Sequence, residues 1–266
     1  MRNELFSIGP VTIYGYGLMI ALGILAAYLT GEYRAEKHGY EKDQIFYFVL
    51  YCVLGGFLGS KLLYVITDLD RILKDPSVIF PLSDGWVVYG GIIGGILSAI
   101  LYAGIRGLKF LAYFDLLMPS VALAQGFGRV GCFLAGCCYG QETDCSIGVV
   151  FPDSAYAPAG VALVPTQLFS AGLNVLHFLI LLWFSSRKKG DGQVGALYLI
   201  FYSIGRFVLE YFRGDLARGS VGAFSTSQFI SFFILAAGIG LWAHCGAKGE
   251  ISADGRRESG QPDTKE

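Results

Sequence analysis

Apolar and polar positions alternate along this chain in long blocks rather than at short period. Runs of about 20 mostly apolar residues, the length needed to cross a bilayer as a helix, recur seven times, at about 12–31, 43–66, 86–105, 111–131, 165–184, 194–212 and 224–245. The fourth run is the least clean, because Asp115, Pro119 and Gln125 interrupt it. After Cys245 the pattern changes to a Gly-, Asp-, Lys- and Arg-rich stretch. Residues 246–266 therefore read as a disordered cytoplasmic tail, and 1–245 as one membrane domain.

The expected fold class is an all-α membrane protein of seven transmembrane helices. Lys and Arg concentrate in cytoplasmic loops, and this sets the orientation. With the N-terminus outside, the inner segments carry twelve such residues (Arg34, Lys37, Lys42, Arg106, Lys109, Arg187, Lys188, Lys189, Lys248, Arg256, Arg257 and Lys265). The outer segments carry five (Arg2, Arg71, Lys74, Arg213 and Arg218), and the long outer segment 135–164 between spans four and five has none. The C-terminus is thus expected on the cytoplasmic side.

Composition agrees. The chain is 54% hydrophobic and 15% charged, with a mean hydropathy of +0.54, against about 25% charged residues in soluble domains. Net charge is −1 with no basic block, which argues against nucleic acid as a partner. No short apolar segment ends in a cleavage-type site, so the first run is expected to stay as an anchor. Gly55/Gly59 and the overlapping pairs Gly90/Gly94 and Gly91/Gly95 are spaced for close helix packing and carry no function of their own.

Charges inside the spans are the informative exceptions, because an ion at bilayer depth costs about 2.5–3.5 kcal/mol and is usually functional. Lys61, Arg129 and Arg206 are the cations, and Glu210 lies one helical turn after Arg206, on the same face. Three positive charges against one negative leave an excess that an anion must neutralise. Arginine's planar fork suits phosphate, so a phospholipid headgroup fits. By the direction of each span, Tyr16, Lys61, Tyr89, Arg129, Gln167 and the Arg206/Glu210 pair are expected at one level, beneath the outer surface. The bland reading, that Lys61 and Tyr16 merely snorkel to the interface, stands beside this one.

Six segments together resemble the bacterial prolipoprotein diacylglyceryl transferase family: LFSIGPVTIYGYGLM (5–19), GGFLGSKLLYV (55–65), DGWVVYGGIIGG (84–95), GRVGCFLAGCCYG (128–140), VPTQLF (164–169) and GRFVLEYFRGD (205–215). The resemblance implies a seven-helix enzyme of the bacterial cytoplasmic membrane with a periplasmic head between spans four and five. It implies transfer of a diacylglyceryl group from phosphatidylglycerol to the lipobox cysteine in a prolipoprotein signal peptide, without cofactor or metal. It makes Arg206, Glu210 and Tyr89 the catalytic residues. It makes Arg129, as the lipid-phosphate arginine, together with Tyr16, Lys61, Gln167 and Gly131, the substrate-binding ones.

The sequence departs from the family pattern at three places. Tyr89-Gly90-Gly91 stands where the family has His-Gly-Gly, and Lys61 where it has arginine. Gly131-Cys132-Phe133 and Ala135-Gly136-Cys137 replace Gly-Asn-Phe and Asn-Gly-Glu. A histidine proposed as the base is therefore missing. An unperturbed tyrosine, with a pKa near 10, is a poor base, so Tyr89 reads as a positioning residue. His177 lies too deep in span five to substitute and reads as helix packing, while His38 and His244 fall on the inner side.

Cys132, Cys137, Cys138 and Cys145 form the sharpest competing signal. Their C-x4-C-C-x6-C spacing is not a usual zinc pattern and has no histidine nearby. A disulfide from Cys145 to Cys137 or Cys138 suits an oxidising outer face, and small apolar residues at a packed helix end are the plainer account. The alternative function is a membrane lipid-binding or thiol-redox protein on the same fold without transferase activity.

Overall fold

The computed structural model describes residues 4–8, 11–79, 85–152, 154–214, 220–222 and 224–258. The elements run β1 (Glu4–Ile8), β2 (Val11–Tyr14), α1 (Gly15–Lys37), α2 (Lys42–Thr67), α3 (Leu69–Lys74), a 3-10 turn (Pro76–Ile79), α4 (Val88–Arg106) and α5 (Phe110–Ala135). They continue with β3 (Val149–Val150), β4 (Ala162–Leu163), α6 (Thr166–Ser185), α7 (Gln193–Glu210), β5 (Ser220–Val221), β6 (Phe224–Ser225) and α8 (Thr226–Glu258). Helices carry the architecture; the strands form three antiparallel pairs, β1 with β2, β3 with β4 and β5 with β6.

Among the described residues six helices, α1, α2, α4, α5, α6 and α8, are long and apolar enough to cross a membrane. The chain is a multi-pass membrane protein. A seventh helix, α7, stands where the sixth apolar run was expected, but its 18 residues include Gln193, Arg206 and Glu210 and it falls outside those six. The first run was expected to be helical from residue 12. Instead Val11–Tyr14 pairs with Glu4–Ile8, because Val11, Thr12 and Ile13 are β-branched and favour an extended chain. At the other end α8 is helical to Glu258, and residues 259–266 of the expected tail lie outside the described residues.

The chain forms two compact units. Residues 31–113 make the smaller one. Its centre is the packing of α2 on α4 through the small residues singled out above. A Cβ on Gly59 would collide with the Gly90 carbonyl oxygen, and one on Gly94 with that of Gly55, so these glycines are what lets the two backbones touch. The outward faces carry Leu58, Leu62, Leu97, Leu101 and Ile105, all well exposed, as expected for surfaces meant for lipid rather than water.

Residues 1–30 and 114–266 make the larger unit. Its apolar core gathers Ala122, Leu181, Val194 and Tyr198 from α5, α6 and α7. One end is held by Asp115, which is 1% exposed. Its Oδ2 accepts from Lys188 Nζ at 2.9 Å and Gly192 N at 2.8 Å, and its Oδ1 from Gly195 N at 2.8 Å. The carboxylate thereby satisfies backbone donors at the start of α7, where helices leave N–H groups unpaired. Burial alone would depress the Lys188 ammonium, but the charge of Asp115 and hydrogen bonds to Asp115 and Asp191 outweigh it and hold its pKa above the ordinary value. Segment 135–164 is folded around its own small cluster, Phe151, Ala157 and Leu163, with Phe133 and Tyr139 packed against it.

Candidate active site

At the opposite end of the larger unit the C-terminal turns of α5 and α7 and the first turn of α6 are stitched together by backbone. Gly140 N donates to Val164 O at 2.8 Å, and Val164 N returns a bond to Gln141 O at 2.9 Å. Gln141 N donates to Phe212 O at 3.1 Å and Gly214 N to Tyr139 O at 3.2 Å, so residues 139–141 bridge the segments before α6 and after α7. Gln141 adds a side-chain bond, Nε2 to Tyr211 O at 3.0 Å.

Three of the four charged residues of the sequence reading, Arg129, Arg206 and Glu210, belong to the larger unit. Arg206 Nη2 pairs with Glu210 Oε2 at 2.8 Å, with the side chains only 13% and 8% exposed, and also donates to Ser227 Oγ at 2.7 Å. The i, i+4 spacing on α7 puts both groups on one face, and low exposure makes the pair far stronger than a surface one. Arg129 is half-buried on α5 and takes part in no ion pair among the described residues. Tyr16, near the start of α1, is exposed and lies in the electrostatic neighbourhood of Arg129, Cys132, Cys137 and Cys138. A Cβ on Gly131 would come within 3.3 Å of the Tyr16 ring, so glycine there lets the two helices meet.

Gln167, in the first turn of α6, is 1% exposed. Its Nε2 donates to Cys137 O at 2.8 Å, while its Oε1 is buried with no hydrogen-bond partner among the described residues. Thr166 Oγ1 donates to Cys138 O at 3.0 Å. The start of α6 therefore grips the cysteine loop by two consecutive carbonyls.

All six cysteines are unbridged. The sulfurs of Cys132, Cys137 and Cys138 lie within 4.8 Å of one another. Cys145 is exposed and stands outside this group, so the structure supports neither Cys145 pairing considered above. Hydrogen bonding from Cys132 and Cys137, and then the charge and hydrogen bond of Arg213, hold Cys138 well below the usual thiol range; Cys137, hydrogen-bonded to Cys132 and Cys138, is pushed up.

Lys61 and Tyr89 belong to the smaller unit. The Lys61 ammonium lies 4.9 Å from the centre of the Trp86 ring and 5.5 Å from that of Tyr64, a cation–π arrangement. Tyr89 is exposed in the first turn of α4. The start of that helix is fixed by Ser60, whose Oγ donates to Val87 O at 2.9 Å and whose carbonyl accepts from Val87 N at 3.3 Å.

His177 is buried, stacked on Tyr198 with ring centres 5.2 Å apart and edge-on to Phe201. Its Nε2 has no partner among the described residues. The packing role expected for it holds, but without the polar partner that a buried imidazole usually finds.

Sequence reasoning missed three contributors. Arg213 was counted only as a loop charge, although it sits in the same conspicuous segment as Arg206. Thr166 and Ser227 have no signal of their own, being ordinary hydroxyl residues at helix starts.

With this geometry in hand, the chain can be set beside known proteins. The family model described as prolipoprotein diacylglyceryl transferase matches residues 3–244. The chain belongs to the prolipoprotein diacylglyceryl transferase family. It is 48% identical over 239 residues to the phosphatidylglycerol–prolipoprotein diacylglyceryl transferase of Clostridium tetani, covering 90% of this chain and 96% of that protein. It is 47% identical over 262 residues to the second such transferase of Clostridium perfringens, covering 98% and 100%. It is also 32% identical over 245 residues to a transferase of that name from Legionella pneumophila, covering 89% and 94%.

Proposed function

We propose that this protein transfers the diacylglyceryl group of phosphatidylglycerol to the thiol of a prolipoprotein's lipobox cysteine, forming a thioether and releasing glycerol phosphate. Similarity over nearly the whole length of transferases so named supports the reaction. One observation in the site carries it. The larger unit holds two partly buried arginines, one locked by a carboxylate and the other with no ion pair among the described residues.

Arg129 holds the lipid phosphate. Its charge is paid for by the ligand rather than by an internal carboxylate, and its fork makes two parallel hydrogen bonds to phosphate oxygens. Arg206 stabilises the negative charge that develops as glycerol phosphate leaves, the contribution that usually dominates such catalysis. Glu210 fixes the Arg206 fork so that no reorganisation is needed during reaction. Gln167 Oε1, buried and without a partner among the described residues, accepts from a hydroxyl of the lipid headgroup. Tyr16 and Gly131 line the same end. The membrane is the bacterial cytoplasmic membrane. Seven helices cross it, α7 included, with the N-terminus outside.

The test is a transfer assay in phosphatidylglycerol vesicles with a lipobox peptide, read by mass spectrometry. The parent should give a peptide heavier by one diacylglyceryl group. Arg129→Ala should lose this by about a hundredfold or more, the cost of removing a charge-stabilising donor. A folded parent that gives no adduct would sink the assignment.

A further inference from the structure

Among the described residues of the larger unit, the three-cysteine cluster is a group of chemically active side chains that the proposed reaction does not yet use. We propose that Cys132, Cys137 and Cys138 form a three-thiolate zinc site whose open fourth position receives the acceptor thiol. The second half rests on the transferase reading above; the metal site itself does not.

The sequence spacing argued against zinc, because two ligands are adjacent. The fold removes that objection. Cys132 lies in the last turn of α5, and Cys137 N donates to Cys132 O at 3.1 Å, closing the helix end. Gly136 and Cys138 then both take the left-handed conformation, at φ of 68° and 61°. Cys138 is the one non-glycine residue with positive φ among those described. A Cβ makes that conformation unfavourable, and such positions persist where the surroundings enforce them. Here Thr166 and Gln167 hold the Cys138 and Cys137 carbonyls. The double reversal turns adjacent cysteines back toward Cys132 and brings all three sulfurs within 4.8 Å of one another. A tetrahedral zinc with Zn–S bonds near 2.3 Å needs sulfurs roughly 3.8 Å apart, so the ligands need only close slightly.

Charge and chemistry select the metal. Three thiolates on Zn²⁺ leave one negative charge, and Arg213, hydrogen-bonded to Cys138, supplies the compensating cation from outside the ligand set. Three protein ligands and one open position are the pattern of catalytic rather than structural zinc. Zinc has no redox chemistry, which suits a reaction that forms a carbon–sulfur bond without electron transfer. The position is also right. Arg129 and Cys132 are three residues apart on α5 and so share a face, putting the phosphate-binding group beside the metal.

The step balances. The acceptor thiol binds the open position and releases its proton to water, since a coordinating thiol is deprotonated outright. A sulfur lone pair attacks the glyceryl carbon and a C–S bond forms. The C–O bond to phosphate breaks, and its electron pair leaves with glycerol phosphate, stabilised by arginine. The thioether, a neutral and weaker ligand, departs. The base that the histidine-to-tyrosine change at position 89 removes is then unnecessary.

The experiment uses the full chain, purified without chelator. Metal content should be one zinc per chain, with Cys132→Ser, Cys137→Ser and Cys138→Ser each losing at least tenfold in zinc affinity and Cys145→Ser losing none. Thermal melts identify variants that fail to fold, and the cobalt spectrum of the unmutated protein keeps the question answerable without them. Cobalt(II) replacing zinc should show thiolate-to-metal absorption that changes on adding a lipobox peptide and stays unchanged with its cysteine replaced by serine. A folded parent that binds no zinc, or prefers copper(I), overturns the site. Zinc bound with a cobalt spectrum indifferent to the peptide thiol overturns the open position. A protein that transfers lipid while metal-free refutes this inference and leaves the transferase reading standing. One that binds zinc and the peptide thiol but transfers nothing does the reverse.

Discussion

Replacing Asp115 with alanine should weaken the larger unit by about 3–5 kcal/mol, the usual cost of removing one partner of a buried ion pair. The contacts give a similar figure independently. Alanine leaves the N–H groups of Gly192 and Gly195 without their acceptor. Each buried unpaired donor costs about 1–3 kcal/mol. Lys188 keeps Asp191 at 2.9 Å, which places the expectation near the lower end, about 3 kcal/mol. For a chain of this size that is a fall of roughly 6–12 °C in melting temperature, measurable by tryptophan fluorescence in detergent micelles. Asp191→Ala should cost under about 1 kcal/mol, since Asp191 is exposed. In a cycle with Lys188→Ala, the lysine should matter far more while Asp115 is present than after its removal, when only the exposed Asp191 pair remains. The pH dependence has a definite sign. The folded Lys188 pKa is raised, so the pair's contribution is fully present below the unfolded lysine value of about 10.4 and is lost as pH rises through the higher folded value. An Asp115→Ala protein melting within about 2 °C of the parent would refute the reasoning.

Glu210→Gln should lower kcat by about tenfold to a hundredfold, as small losses of catalytic geometry do, while KM for lipid moves less than threefold; an unchanged kcat would make Glu210 structural only. Gly59→Val should prevent α2 and α4 from docking, because a side chain there meets Gly90 O and comes within 2.9 Å of Gly94 Cα. Gly104→Ala, with nothing within 4 Å, should be neutral or gain up to about 1 kcal/mol, and equal melting temperatures for both would argue against the packing. At Asp75, hydrogen bonds from the Ser77 side chain and backbone hold the carboxyl below its ordinary value. Ser77→Ala should raise it, and the local stability it provides, present above the unfolded carboxylate pKa, should be lost at higher pH than in the parent; an unmoved NMR titration would contradict this.

Much of this was legible in sequence because hydrophobic length is a local property. Apart from the C-terminal ends of α1 and α8, which run on to Lys37 and Glu258, the six apolar helices and α7 fall within a few residues of the runs expected for them, and the Gly55/Gly59 and Gly90/Gly94 spacing became the α2–α4 contact. Arg206 and Glu210 pair as their i, i+4 spacing required. What the sequence withheld was non-local. Asp115 looked like a flaw in a membrane span, because its partner Lys188 lies 73 residues away. Cysteine spacing pointed away from a cluster that forms because two residues take the left-handed conformation. Even the first span began late, since β-branched residues just before it preferred a hairpin to a helix.

The seam that joins residues 139–141 to the flanks of α6 and α7 is made largely of peptide groups. Every residue but proline brings those groups, so the alignment of the helix ends rests on glycine at 140 and 214, where a Cβ would collide, more than on the other side chains the loop displays. Cysteines can then stand at 132, 137 and 138 without disturbing that seam. The loop works as an interchangeable fitting on a fixed mount, and new reactivity can be tried there without rebuilding the membrane protein beneath it.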